Sequence, residues 1–457
     1  MSDGNGSNSA VAAPATAKAG GANPTPAELL ARHKEVMPNW LALYYKEPIE
    51  LVRGEGTRVW DSTGKEYLDF FGGIVTTISG HAVKSMVDAL AEQASKIAHT
   101  STLYLIRPMV ELAERLTEKA PIDMPVKAFF VGSGTEAVEA ALMFATTWRR
   151  SNEVIALRNS YHGRSFGAVG VTGNKGWSAS SFSPLNVSYA LAPYCYRCPL
   201  KLTYPSCGVA CAEDLRNVIE TTTTGEPAAM IAEPIQGVGG FLTPPPEYFK
   251  IIKGILDEYG IPFIADEVQT GFGRTGESFW GIESYGVQPD AIVCAKGLGN
   301  GLSIGAVVSR TDMMESLRAN SISTFGGNPL STTWALANLD NIEQNDLQGN
   351  AKRVGAHLMS RLKELEQRYD VIGEARGKGL MVGIELVSDA KKKTPAPDAA
   401  AQVMEICKDS GLLVGRGGMY GNVLRIAPPL TITEDDVEHA IECLDTAFSQ
   451  VEQKVGA

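Results

Sequence analysis

The hydrophobic rhythm of the chain changes twice. After a polar start, PAELLARHKEVMP (residues 26–38) carries apolar positions at helical spacing, and PIELVRGEGTRVWDSTGKEYLDF (48–70) alternates like a small antiparallel meander whose clearest turn is DSTG. From about residue 85 to 330, short apolar runs take turns with amphipathic stretches: VKAFFV, AVEAALMFATTWRR, EVIAL, AAMIAE, EYFKIIKGILDEYG, IPFIADE and DAIVCAK. This predicts an α/β fold with a mixed, mostly parallel sheet. Beyond about 340, the long amphipathic helices AKRVGAHLMSRLKELEQRY and ITEDDVEHAIECLDTAFSQVEQ surround short strands such as GLMVGIELV and VLRIAP, as in a smaller α+β lobe joined by the meander. The expected division is a disordered tail at 1–27, small-domain parts from both chain ends at 28–84 and 336–457, and a large domain at 85–335.

Charge narrows the partners. The 457 residues hold 41 Lys and Arg against 52 Asp and Glu, a formal net charge of -11, with no basic block longer than KKK at 391–393. Nucleic acids and anionic membranes are bound by clustered cations, so neither is an expected partner. Seven cysteines in a long chain without a secretory signal fit a reducing cytoplasm, and no apolar run of about 18 residues is present to cross a bilayer. A cytoplasmic protein acting on small molecules is the expectation.

Four apolar strands end in polar chemistry: AFFV before GSGTEA, AAMIAE at Glu233, IPFIAD at Asp266 and AIVCAK at Lys296. Carboxyl ends of parallel strands form the ligand crevice, so these positions should converge. Buried ions need partners, and Asp266 and Lys296 fit either a mutual structural salt bridge or a site. GSGTEA (132–137) follows a strand and opens a helix, which suits either an anion held by Gly132, Ser133, Gly134 and Thr135 or a plain turn with Ser133 or Thr135 as helix cap. Glu153 starts its strand instead of ending it, the wrong end for a dinucleotide ribose, and GxxxxGK[ST] is absent, so a single phosphate is favoured over NAD or ATP. One phosphate site, one lysine and one strand-end acid are what pyridoxal phosphate needs. Gly297, Gly299 and Gly301 would then leave room for its ring.

GSGTEA, SYHGR, EPIQG, ADEVQTGFGRTG, AKGLGNGLSIGAV, TFGGNP and LRIAPPL occur in the order found in class III pyridoxal-phosphate aminotransferases, and the chain resembles that family from about residue 40 to 450. The group includes ornithine, 4-aminobutyrate, β-alanine and type 2 alanine–glyoxylate aminotransferases. The resemblance implies the type I pyridoxal-phosphate-dependent transferase fold, with Lys296 forming the Schiff base and moving the proton. It assigns Asp266 to the pyridinium nitrogen, Gln269 to the ring hydroxyl, and Val268 and Tyr161 to the two ring faces. His162 joins the cofactor-binding group, and Ser133, Gly134 and Thr135 the phosphate. It also implies that Thr324 reaches the phosphate of a neighbouring subunit in a homodimer or dimer of dimers.

For the substrate, the resemblance assigns Arg425 to an α-carboxylate, Glu233 to neutralising Arg425 when that carboxylate is missing, and Arg164 to the far carboxylate of an ω-amino acid. Gly73 and Ile74, in FFGGIVTTISGH, are expected at the substrate entrance; that wording resembles the alanine–glyoxylate enzymes, whereas Arg164 leans toward 4-aminobutyrate or β-alanine. The expected reaction is ping-pong transfer from such a donor to pyruvate, glyoxylate or 2-oxoglutarate. An alanine–glyoxylate reaction, or a mutase, racemase, decarboxylase or phospholyase on the same cofactor, is the alternative; a non-catalytic phosphate-binding protein is a further one.

CYRCPLKLTYPSCGVAC places Cys195, Cys198, Cys207 and Cys211 at a spacing that zinc or an iron–sulfur cluster accepts. The same thiols could instead be paired or free.

Overall fold

The computed structural model describes residues 24–455. Most of the expected tail therefore lies outside the described residues. The chain divides between Glu50 and Leu51. In the first unit the helix Pro26–Val36 is opened by a capping box between Thr25 and Glu28.

In the second unit, β1 (Leu51–Glu55), β2 (Arg58–Asp61) and β3 (Glu66–Asp69) form the antiparallel meander. DSTG turns because Asp61 Oδ1 accepts the backbone N–H groups of Thr63 (2.9 Å) and Lys65 (3.0 Å).

The large sheet contains β4 (Val126–Val131), β5 (Glu153–Leu157), β6 (Asn186–Ala190), β7 (Ala229–Ala232), β8 (Phe263–Asp266), β9 (Ala291–Cys294) and β10 (Gly305–Arg310). Its order is β4-β10-β9-β8-β7-β5-β6, and only β10 runs antiparallel to its neighbours. Every residue of β5, β7, β8 and β9 is buried, as expected of parallel strands covered on both faces. Ala137, Val138, Ala141, Leu142 and Ala145 of the helix Gly134–Arg149 pack into one apolar cluster with Val154, Ile231, Ile264, Val293 and Val307. Small residues on that helix face let it lie close to the sheet.

The C-terminal strands are β11 (Ile372–Lys378), β12 (Met381–Asp389), β13 (Thr394–Pro395), β14 (Leu412–Leu413), β15 (Gly415–Gly417) and β16 (Val423–Ile426). They build the sheet β11-β12-β16-β15, with β13 on β12, while β14 pairs parallel with β3. Thus Leu412 and Leu413 join the N-terminal meander to the C-terminal segment.

Glu385 of β12 ties distant segments together. Its carboxylate, with no exposed side-chain surface, accepts Arg376 Nη1 (2.7 Å), Arg197 Nε and the Tyr194 hydroxyl. Burial alone would raise this carboxyl, but the two arginines and the tyrosine outweigh it and hold it below its usual range. Arg376 also donates to Gly240 O through Nε (3.1 Å) and Nη2 (2.9 Å). Removing one partner of such a cluster strands buried charge, so Glu385→Ala should cost about 3–5 kcal/mol in urea unfolding; a loss below about 1 kcal/mol would contradict the role given to this cluster.

Candidate active site

The carboxyl ends of β4, β5, β8 and β9 open onto one cavity of about 330 Å³. Ser133, Gly134, Thr135, Tyr161, His162, Arg164, Asp266, Val268, Gln269 and Lys296 all line it. Gly73, Ile74, Glu233, Thr324 and Arg425 are not among its lining residues. Gly73 and Ile74 lie in the left-handed turn after Phe71, with φ of 56° and 67°; Thr76, one turn further, reaches the cavity.

Asp266 ends β8 almost fully buried. Its Oδ2 lies 2.6 Å from His162 Nδ1, and its Oδ1 accepts Val268 N–H at 3.1 Å. Its close side-chain partner is thus His162, not Lys296. Lys296 follows β9 by two residues, with φ 38°. Burial pulls its amine down to about 8, against the opposing pull of Asp266 and Glu233, and nearby Arg425 lowers it further.

Glu233 follows β7 and accepts the backbone N–H groups of Tyr161 (2.9 Å) and Gly237 (2.8 Å). Burial pushes its carboxyl above the usual carboxylate range, though His162 and those N–H groups resist. Arg425 on β16 is buried, donates from Nε to Arg416 O (3.3 Å), and holds its guanidinium over Phe71 (5.0 Å) and Phe241 (5.7 Å). Two apolar rings fix its plane.

At the helix Gly134–Arg149, Ser133 is the N-cap and its hydroxyl accepts Glu136 N–H at 3.3 Å. Thr135 Oγ1 accepts the N–H groups of Arg164 (3.1 Å) and Ser165 (3.3 Å), which ties the β5 loop to this helix start. Glu153, at the first residue of β5, spends its carboxylate on Thr224 N–H (3.0 Å) and hydroxyl (2.8 Å), far from any ribose role.

Several residues at the site carried no individual signal. Leu302, Ser303 and Ile304 line the cavity from within AKGLGNGLSIGAV, and Trp177 meets the Tyr161 ring edge-on at 5.5 Å. The motif placed the first three in range, whereas Trp177 lies outside every motif.

Cys195, Cys198, Cys207 and Cys211 do converge on one small cavity of about 20 Å³, but as free thiols. Among the described residues no group of three or more His, Cys, Asp or Glu is placed to hold a metal. Burial and the neighbouring sulfurs push Cys195 up and Cys211 up to about 12.

Comparison with known proteins gives the family. The family described as Aminotransferase class-III matches residues 43–448. The chain is 40% identical over 424 residues to alanine–glyoxylate aminotransferase 2 homolog 2, mitochondrial, of Arabidopsis thaliana, covering 93% of this chain and 87% of that protein. It is 38% identical over 431 residues to a leucine/methionine racemase of Thermococcus litoralis, covering 93% and 96%. An amine transaminase from an uncultivated Pseudomonas species, solved with pyridoxal phosphate bound, superposes with a TM-score of 0.84 at 32% identity over 91% of this chain and 98% of that one. The chain belongs to the class III aminotransferases and is a pyridoxal-phosphate-dependent enzyme.

The cavity fits that cofactor. Gln269 Oε1 and His162 Nε2 are buried at its wall without a hydrogen-bond partner, and a helix N-terminus stands ready for a phosphate. Gly237 makes room for the Gln269 amide, since a Cβ there would come within 2.2 Å of Nε2.

Glu267, beside Asp266, is fully buried and accepts Thr270 Oγ1 (2.5 Å), Gly281 N–H (2.9 Å) and Ile282 N–H (2.7 Å). Burial still pushes it up to about 7 from the usual 4.5. The folded protein then keeps a proton that the unfolded chain releases, so this contribution to stability is present below about 4.5 and lost as pH rises through about 7. Glu267→Gln should flatten the decline of the urea midpoint between those values; a slope as steep as in the wild type contradicts the assignment.

Proposed function

We propose that the enzyme is a transaminase that moves the amine of an ω-amino acid of the 4-aminobutyrate or β-alanine type, or of an α-amino acid, to pyruvate, glyoxylate or 2-oxoglutarate in ping-pong order. The reading rests on two arginines of separate segments around one lysine: Arg164, which lines the cavity with Lys296, and Arg425, whose charge lowers the Lys296 amine.

Pyridoxal phosphate, when bound, supplies a carbonyl that exchanges the amine and a ring that takes up electrons. Lys296 is assigned as its attachment point and as the group that takes and returns the proton; an amine pulled down to about 8 is partly neutral near neutrality and can act as a base. Asp266, held by His162, would keep a proton on the ring nitrogen. Gln269 would hold the ring hydroxyl, Val268 and Tyr161 would pack on the ring, and Ser133, Gly134 and Thr135 would hold the phosphate. Gly73 and Ile74 border the entrance.

Arg425 is assigned to the α-carboxylate through a two-pronged contact, and Glu233 to its neutralisation when that carboxylate is missing. Arg164 takes the distal carboxylate. A leucine/methionine racemase among the relatives favours one second reading, racemisation. Consumption of an added oxo acid separates the two, because racemisation needs none.

Thr324 shares an open cavity of about 860 Å³ with Gly132 and Ser133, and the neighbouring Phe325 and Ile322 are exposed. This supports assigning Thr324 to the cofactor phosphate of a partner copy, in a homodimer or dimer of dimers that sedimentation would reveal. Seven free thiols support a reducing cytoplasm, although the Arabidopsis relative is named as mitochondrial. Among the described residues no helix is long and apolar enough to cross a membrane.

Lys296→Ala should abolish the visible cofactor band and lower kcat by about a thousandfold or more. Arg164→Ala should lower kcat/KM for 4-aminobutyrate about 10- to 100-fold while sparing alanine. Equal losses on both donors would remove Arg164 from the role given to it.

A further inference from the structure

The turn that carries Lys296 is strained at both ends. Lys296 and Asn300 have φ of 38° and 40°, a left-handed conformation that costs a non-glycine residue about 1–2 kcal/mol. It persists where the surroundings over-determine it. Here the surroundings are side chains from two other segments.

Asn338, fully buried on the helix Pro329–Gln344, donates from Nδ2 to Gly297 O (2.7 Å) and Leu298 O (3.1 Å). One turn earlier on that helix, Trp334 Nε1 donates to Gly299 O (2.6 Å). The three carbonyls that follow Lys296 are therefore all taken by one helix. Asn338 Oδ1 accepts the Ser79 hydroxyl at 2.7 Å, Ser79 N–H donates to Asn300 Oδ1 at 2.8 Å, and Asn300 Nδ2 donates to Gly80 O at 3.0 Å. The bonds close a ring: Asn338 grips the start of the turn, Asn300 ends it, and Ser79 links the two. Ser79, Asn300 and Asn338 are all buried, so each bond is shielded from competing water.

The ring also reaches the substrate side. Ser79 lies three residues beyond Thr76, which lines the cavity with Lys296. The lysine turn and the segment around the cavity mouth are thus fastened to the same buried amide.

We infer that Asn338 is a positioning residue: through Gly297, Leu298 and Ser79 it fixes where the Lys296 amine stands relative to the cofactor and the substrate. It touches neither, and it acts through the backbone of the turn. This rests on Lys296 being the cofactor lysine. A polar residue is required there because three buried carbonyl or hydroxyl groups would otherwise lose their partner.

The test uses the cofactor-loaded enzyme and three variants: Asn338→Leu, which keeps the volume and removes the donors; Ser79→Ala, which removes one bond to Asn338; and Lys296→Ala. The readouts are the pH midpoint of the visible cofactor band, kcat and KM taken separately, and the thermal midpoint. Asn338→Leu should shift the band's pH midpoint by about half a unit or more, and lower kcat about 10- to 100-fold with KM within about threefold. Ser79→Ala should shift the midpoint in the same direction by less. A folded Asn338→Leu with the wild-type midpoint and kcat overturns the inference, as does a lowered thermal midpoint with no change in the band. If Asn338→Leu does not fold, a wild-type band midpoint in Ser79→Ala overturns it equally. Lys296→Ala keeps the two levels apart: a band that survives in it removes the lysine assignment itself, before Asn338 is at issue.

Discussion

A carboxylate at the end of a fully buried strand is the constraint around which this site is arranged. Buried there, the Asp266 carboxyl needs hydrogen-bond partners in place of the water it has lost, and His162 Nδ1 at 2.6 Å and the Val268 N–H at 3.1 Å are those partners. His162 comes from the loop after β5, and that loop is in turn tied to the start of the helix Gly134–Arg149 through Thr135. One buried carboxyl therefore links three separate segments. The adjoining Glu267 extends the arrangement, its carboxyl organising the backbone at Gly281 and Ile282.

The same economy governs the substrate side. Arg425 sits on β16 between two phenyl rings, while Glu233 is oriented by backbone N–H groups of Tyr161 and Gly237. Both groups act on Lys296 electrostatically, in opposite directions. The amine is thus tuned by groups assigned to recognition as well as by burial, so a change in either Arg425 or Glu233 is felt at the lysine to which proton transfer is assigned.

Much of this was legible in the chain. VKAFFV, EVIAL and the apolar runs ending at Glu233, Asp266 and near Lys296 became the strands β4, β5, β7, β8 and β9, because uninterrupted apolar runs bounded by turns have few other fates in a large α/β protein. Other features escaped. β6, NVSYA, is an edge strand with weak apolar character, and β10 lies inside a stretch whose glycines mask it. Two of the three glycines after Lys296 meet the protein's own atoms: a Cβ on Gly299 would come within 2.0 Å of Leu302 O, and one on Gly297 within 3.1 Å of the Phe272 ring, whereas Gly301 lines the cavity. Asn338 left no trace in any motif, since its partners are 40 and 259 positions away in sequence.

The sequence by itself determined the class of fold and the family, because local hydrophobic period and closely spaced motifs need no knowledge of distant partners. Tertiary structure alone decided that Asp266 lies against His162 and not Lys296, that four cysteines in metal-like spacing gather at one small cavity, and that a buried asparagine holds the lysine turn. Each of these depends on distance, burial and direction between residues far apart in the chain, and those are properties of the packed protein.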